Sequence, residues 1–219
     1  MITVSAFRWV PPFAQGLVRD LRVRWALEEA GLPYEARLIG REDQSSEAYR
    51  ELQPFGQVPA FEQDGIKLFE SGAIVLHIAE QSEALMPADP QGRARTRTWV
   101  LAALNTIEPH IQALAATDLF HKGEAWTVER RPQVVEMIRK RLGELSAALG
   151  DSDYLDGRFT AGDLMMTTVL RNLRDTDLVE EHPNLAALKA RCEARPAFRR
   201  ALEAQMAAFR ENAPAMAPA

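Results

Sequence analysis

Apolar and polar residues alternate at the start of the chain. Ile2, Val4 and Ala6 are separated by Thr3 and Ser5, the period of a strand over residues 2–9. Val10-Pro11-Pro12 breaks that pattern. Beyond it Leu17, Leu21, Arg24 and Leu27 recur near every 3.6 residues, as do Val18, Trp25 and Ala26, which predicts a helix over 12–30. Pro12 suits the first helical position, where a missing N–H costs little. Gly31, with Pro33 beyond it, supplies the stop. Residues 34–39 read as a second strand, and 41–52 as a polar loop with an irregular helix. Two short strands, 58–62 and 66–69, flank Gln63-Asp64-Gly65, a hairpin signal. Ser71 is placed to cap a helix over 71–82 whose Ile74, Val75 and Ile78 face inward. The predicted order is βαβαββα.

After Met86-Pro87 the pattern becomes helical throughout. Residues 84–92, rich in Pro and containing Asp, suit a linker between domains. Helices are predicted over 93–117, 127–149, 160–174, 184–194 and 197–210, and Asn212 to Ala219 reads as a loose Ala/Pro-rich tail. The domains expected are 1–83 and 93–211. One helix start is unusually legible. Thr160-Ala161-Gly162-Asp163 puts Thr at the N-cap and an acid three residues on, with Phe159 and Leu164 at the hydrophobic-staple positions.

Composition narrows the function classes. A net charge of -5 over 219 residues argues against general nucleic-acid binding, which needs a basic face. It gives no pull toward anionic lipid either. No stretch approaches the ~18 apolar residues of a membrane span, and the start of the chain lacks a signal-peptide core. The single cysteine, Cys192, cannot form an internal disulfide, and His77, His110, His121 and His182 are too scattered to suggest a metal site. A cytoplasmic protein without metal is the expectation.

Two motifs carry a resemblance. The first is Leu52-Gln53-Pro54-Phe55-Gly56-Gln57-Val58-Pro59-Ala60-Phe61, continuing through Asp64-Gly65 to Leu68-Phe69-Glu70-Ser71-Gly72-Ala73-Ile74. The second is Phe-Thr-Ala-Gly-Asp at 159–163, with Leu155-Asp156-Gly157 before it. Together and in this order they resemble the glutathione transferase superfamily over essentially the whole chain. The resemblance implies a fold of class α/β plus all-α: an N-terminal thioredoxin-like domain followed by a C-terminal helical bundle. It also implies a glutathione site. A cis Val58-Pro59 bond would turn the Val58 N–H and C=O outward to pair with the cysteinyl part of the peptide. Glu70 would receive the γ-glutamyl ammonium. Ser71, at a helix N-terminus, would bind the carboxylate. Gln57 would reach the peptide's backbone or glycyl end. A plain helix cap at Ser71 and a structural turn at Pro59 are the competing readings.

The catalytic part of the resemblance departs from the family. Relatives carry a Ser or Cys before Pro-Phe-Ala-Gln, or a Tyr near the first strand, to favour the nucleophilic thiolate. Here the stretch is Pro11-Pro12-Phe13-Ala14-Gln15, and Pro11 holds the Ser/Cys position. The catalytic group is therefore unassigned, with Arg8 and Gln15 as weak candidates that read equally well as surface residues. Cys192 stands far along the chain and is no substitute. The second substrate, a hydrophobic electrophile, is expected between the domains against Trp9, Phe13, Leu104, Asn105 and Glu108, with Phe120 and Trp126 nearby. The family norm is a homodimer. Two rival functions stay open: a non-catalytic glutathione-fold binding protein, and a glutathione-dependent isomerase of the maleylacetoacetate type, weakly favoured by Arg22-Val23-Arg24.

Overall fold

Strand β1 (Ile2–Phe7) is the organising element of the N-terminal part, as a computed structural model covering residues 1–214 describes it. It pairs in parallel with β2 (Tyr34–Ile39), Ile2 opposite Tyr34, and antiparallel with β3 (Ala60–Gln63), Val4 opposite Phe61. β4 (Ile66–Phe69) completes the order β2-β1-β3-β4 through the predicted Asp64-Gly65 hairpin. Because side chains alternate along a strand, Ile2, Val4 and Ala6 leave β1 on one face, and Ser5 and Phe7 on the other. Both faces are covered, and Ser5 is as buried as its apolar neighbours.

Helix α1 (Asp20–Ala30) follows β1 later than the apolar period suggests. Residues 12–14 form only a 3-10 turn, and Gly16 then takes a φ of 76°, a left-handed conformation that a continuous helix cannot include. The predicted helix from Pro12 is therefore a loop and a shorter helix. The stop holds: Gly31 N–H donates to Glu28 O and Leu32 N–H to Leu27 O. Short helices α2 (Arg41–Gln44) and α3 (Glu47–Arg50) replace the expected irregular stretch, and α4 (Ser71–Ala79) follows β4. The result is the thioredoxin-like βαβαββα order.

The remaining helices are α5 (Pro90–Ala102), α6 (Glu108–Ala115), α7 (Ala125–Leu149), α8 (Ala161–Leu170), α9 (Pro183–Glu193) and α10 (Pro196–Glu211). The single helix predicted over 93–117 is interrupted. Pro109 has no hydrogen to give to the carbonyl one turn back, and a π-helical turn, Ala103–Ile107, stands just before it. A second π turn, Ala116–Phe120, ends this stretch. The tail predicted beyond α10 lies, after residue 214, outside the described residues.

Two compact units divide the chain: Met1–Leu85 with the segment from Arg195 onward, and Met86–Ala194. The sequence pattern groups α10 with the other late helices, but its contacts put it on α1. Phe198 packs edge-on against Trp25 with ring centroids 4.8 Å apart. Arg195 grips Glu29 through two hydrogen bonds of 2.6 and 2.8 Å, and Gln205 Nε2 donates to Asp20 Oδ1 at 2.7 Å.

In the second unit α8 is buried along its whole length, so its polar start must be satisfied internally. Asp163 does this as the capping pattern predicts. Its carboxylate accepts from the amides of Leu155 (2.8 Å) and Thr160 (2.9 Å) and from the Thr160 hydroxyl (3.1 Å), while Thr160 Oγ1 accepts from Gly162 N–H. Phe159 and Leu164, the staple positions, are buried. Replacing Asp163 with alanine strands two buried amides at once. Asp163→Ala is expected to cost about 3 kcal/mol in urea unfolding, with an unchanged denaturant slope.

Candidate glutathione site

The turn from β4 into α4 is built around one residue. Glu70 is exposed and adopts φ 68°, ψ 114°, a conformation that non-glycine residues rarely enter. Its carbonyl accepts the first helical hydrogen bond of α4, from Ile74 N–H at 3.0 Å. Ser71 is thus the first helical residue rather than the cap predicted from sequence, and the residue at the cap, Glu70, makes no side-chain capping bond. Instead Ser71 Oγ accepts from Arg22 Nη1 at 3.1 Å. Both side chains are buried, and Arg22 comes from the first turn of α1, which packs against α4. Since the oxygen accepts from Arg22, the hydroxyl proton of Ser71 is available for another acceptor. The amides of the first helical turn and the positive end of the helix dipole add to the Arg22 charge. The head of α4 therefore gathers positive potential and hydrogen-bond donors, with an exposed carboxylate, Glu70, beside it.

The second component is the loop before β3. Side chains of α2 and α3 hold its carbonyls: Gln44 Nε2 donates to Gly56 O at 2.7 Å, Arg50 Nη1 to Pro54 O at 2.7 Å, and Tyr49 Oη to Gln57 O at 2.6 Å. Phe55 N–H closes a local turn on Gln53 Oε1 at 2.8 Å. The Val58-Pro59 bond is cis. The Val58 side chain is buried with Ile39, Tyr49 and Ala60. Among the described residues its main-chain N–H and C=O have no hydrogen-bond partner. Gln57 is exposed and Pro59 buried. This leaves an unpaired peptide edge beside the sheet and a donor-rich helix start at α4.

Models for the N-terminal and C-terminal domains of glutathione S-transferases match residues 15–80 and 110–205. A glutathione S-transferase from Hyoscyamus muticus is 31% identical over 196 residues, covering 84% of this chain and 92% of the relative. This chain belongs to the glutathione S-transferase family. Among solved structures, a glutathione transferase from Burkholderia graminis, with two glutathione molecules bound per subunit, superposes with a TM-score of 0.81 at 27% identity, over 92% of this chain and 87% of that one. A theta class glutathione S-transferase from Xanthomonas axonopodis pv. citri with glutathione bound gives 0.77 at 30% identity, over 92% and 96%.

In this family member the segment where relatives place a Ser or Cys carries neither. Residues 8–15 contain no hydroxyl and no thiol. Arg8 turns to Glu42 at 3.2 Å and Asp43 at 3.8 Å, and Gln15 Nε2 donates to Val10 O at 3.0 Å. Ser5, the nearest hydroxyl along the chain, is buried and hydrogen-bonded to Tyr49 and to Ala60 N–H. Trp9 is half-buried and Phe13 exposed, so an apolar surface stands at this end of β1. Cys192 is buried in α9.

Three of the residues expected to face a second substrate fall around the first π turn. Leu104 and Asn105 lie within it, half-buried and exposed, and buried Glu108 opens α6. Phe120 and Trp126 are exposed, the Trp126 indole donating to Glu124 at 2.5 Å. Among the described residues no cluster of His, Cys, Asp and Glu could hold a metal ion, and no helix is long and apolar enough to cross a membrane.

Sequence reasoning missed Arg22, Ser5 and Tyr49. Arg22 stood out only as part of Arg22-Val23-Arg24, with nothing to connect it to Ser71. The alternation that puts Ser5 and Phe7 on one face of β1 is the one signal that pointed to a buried Ser5. Glu70 has a measurable signature of its own. Its backbone conformation costs about 1–3 kcal/mol, which glycine would not incur. Allowing for glycine's greater freedom when unfolded, Glu70→Gly is expected to raise unfolding free energy by about 1 kcal/mol in urea titration. An ordinary backbone at this position would make the same change destabilising.

Proposed function

We propose that this chain is a glutathione transferase that joins glutathione to an electrophilic carbon of a hydrophobic compound. The observation that carries the reading is the Arg22-backed Ser71 hydroxyl at the head of α4 beside the unpaired Val58 backbone. Ser71 and the first amides of α4 take the γ-glutamyl carboxylate, and Glu70 takes the ammonium. Val58 N–H and C=O pair with the cysteinyl backbone as an added strand, and Gln57 meets the glycyl end. The glutathione bound to the Burkholderia and Xanthomonas relatives supports this assignment. The expected protein works without metal, as a homodimer in the cytoplasm.

In the reaction the thiolate sulfur attacks the electrophilic carbon. The C–S bond forms with the sulfur's electron pair, the leaving group departs with its own, and the thiol proton has already gone to solvent or base. Trp9 and Phe13 offer apolar contact to the electrophile. With no hydroxyl or thiol in residues 8–15 to hold the thiolate, acceleration comes chiefly from holding the two reactants together.

Two measurements test this reading. Calorimetric titration should give glutathione binding that weakens about tenfold in Ser71→Ala, the loss of one hydrogen bond to a charged group. Unchanged binding in that variant removes Ser71 from the site. The pH–rate profile of conjugation should climb through the ordinary thiol range, near ~8.5, without a plateau at neutral pH. A plateau reached below pH 7 would mean that a thiol-activating group is present after all.

A further inference from the structure

Four polar groups beneath the Val58 loop form a chain whose direction can be worked out by counting hydrogens. Tyr49 Oη has one proton and lies 2.6 Å from Gln57 O, which can only accept. That contact uses the tyrosine proton. The Ser5 Oγ to Tyr49 Oη contact of 2.8 Å must then be donated by Ser5. Ser5 Oγ in turn accepts from Ala60 N–H at 2.7 Å. The order is Ala60 N–H to Ser5 O–H to Tyr49 O–H to Gln57 C=O, and every polar hydrogen in it has one acceptor. Ser5 is 3% exposed and Tyr49 5% exposed, so water does not compete for these contacts.

The two ends of this chain bracket the site. Gln57 C=O and Val58 N–H belong to one planar trans peptide, so fixing the carbonyl toward Tyr49 aims the Val58 N–H the opposite way. Ala60 N–H and Pro59 C=O belong to another, fixed by Ser5. The Val58–Pro59 peptide lies between these two clamped planes. Tyr49 is itself positioned, because Ser46 Oγ caps α3 by accepting from Tyr49 N–H at 3.2 Å.

We infer that Ser5 and Tyr49 are positioning residues for glutathione: their two hydroxyls act as one relay that orients the Val58 backbone toward the cysteinyl part of the ligand. The inference rests on the transferase reading above for its ligand. Neither hydroxyl touches glutathione; both act through the loop. Burial raises the pKa of the Tyr49 phenol, against the opposing pull of Ser5 and Arg37, so its proton stays in place at neutral pH.

The test uses the full chain as Tyr49→Phe, Ser5→Ala and the double variant. Each single change should weaken glutathione about tenfold and raise its KM alike, with the KM of the electrophile and kcat within about twofold. Because the hydroxyls act as a unit, the double variant should be little weaker than either single one. Folded variants that bind glutathione as the wild type does, or single losses that multiply in the double variant, overturn the inference. Amide hydrogen exchange on the ligand-free protein gives a second readout. Tyr49→Phe should speed exchange at the Ala60 amide, which is linked to the Tyr49 hydroxyl by hydrogen bonds through Ser5, while Ser5→Ala should speed it at least as much. If the wild-type Ala60 amide exchanges like that of an open loop, the relay is wrong whatever the variants do. If the wild type does not bind glutathione but Ala60 responds to Tyr49→Phe, the ligand assignment fails and the relay stands.

Discussion

Helix α1 has almost no solvent face, and that constraint orders the rest of the N-terminal unit. Every residue from Asp20 to Leu27 is buried, including Asp20, Arg22 and Arg24. Buried charge is tolerated only when neighbours satisfy it. Asp20 therefore takes Arg24 at 2.7 Å from its own helix and Gln205 from α10. Arg22 points the other way, to Ser71 at the start of α4. The same requirement that brings α10 onto α1 puts a positive charge behind the first turn of α4. The head of α4 thus carries a buried guanidinium behind its first hydroxyl, the feature on which the proposed glutathione site rests.

The rest of the site is made of backbone held still by side chains. Gln44, Tyr49, Arg50 and Gln53 each satisfy a main-chain group of the loop before β3, and none of those groups belongs to Val58. Peptide groups so fixed require little ordering when a ligand strand arrives. Glu70 contributes in a different way. Its left-handed backbone lets β4 turn directly into α4, placing an acid and a helix N-terminus side by side. A glycine would make that turn more easily and would bring no carboxylate.

Much of this could be read from the chain because the signals were local. Alternation gave β1, the Asp64-Gly65 pair gave the hairpin, and Thr160 with Asp163 gave the start of α8 in detail. What could not be read depended on distant partners. Nothing near Arg22 in sequence points to Ser71, and nothing near Ser5 points to Tyr49 or Ala60. The helix expected from Pro12 failed because apolar spacing continues through Gly16, whose backbone does not. The long helix over 93–117 is helical throughout, but spacing alone did not show the π turn before Pro109, which lacks an N–H for the ladder. The group that would favour the thiolate was absent from the sequence at Pro11, and the described structure supplies no replacement there.

The return of α10 to the first unit makes that unit discontinuous along the chain. A nascent chain that has emerged as far as Leu85 holds the whole sheet and the entire proposed glutathione site, yet lacks the helix that satisfies Asp20 and Glu29. During synthesis that polar, half-covered α1 must wait while more than a hundred intervening residues are made. Helix α10 is thus a clasp for a sheet made well before it, and its loss would be felt at α1.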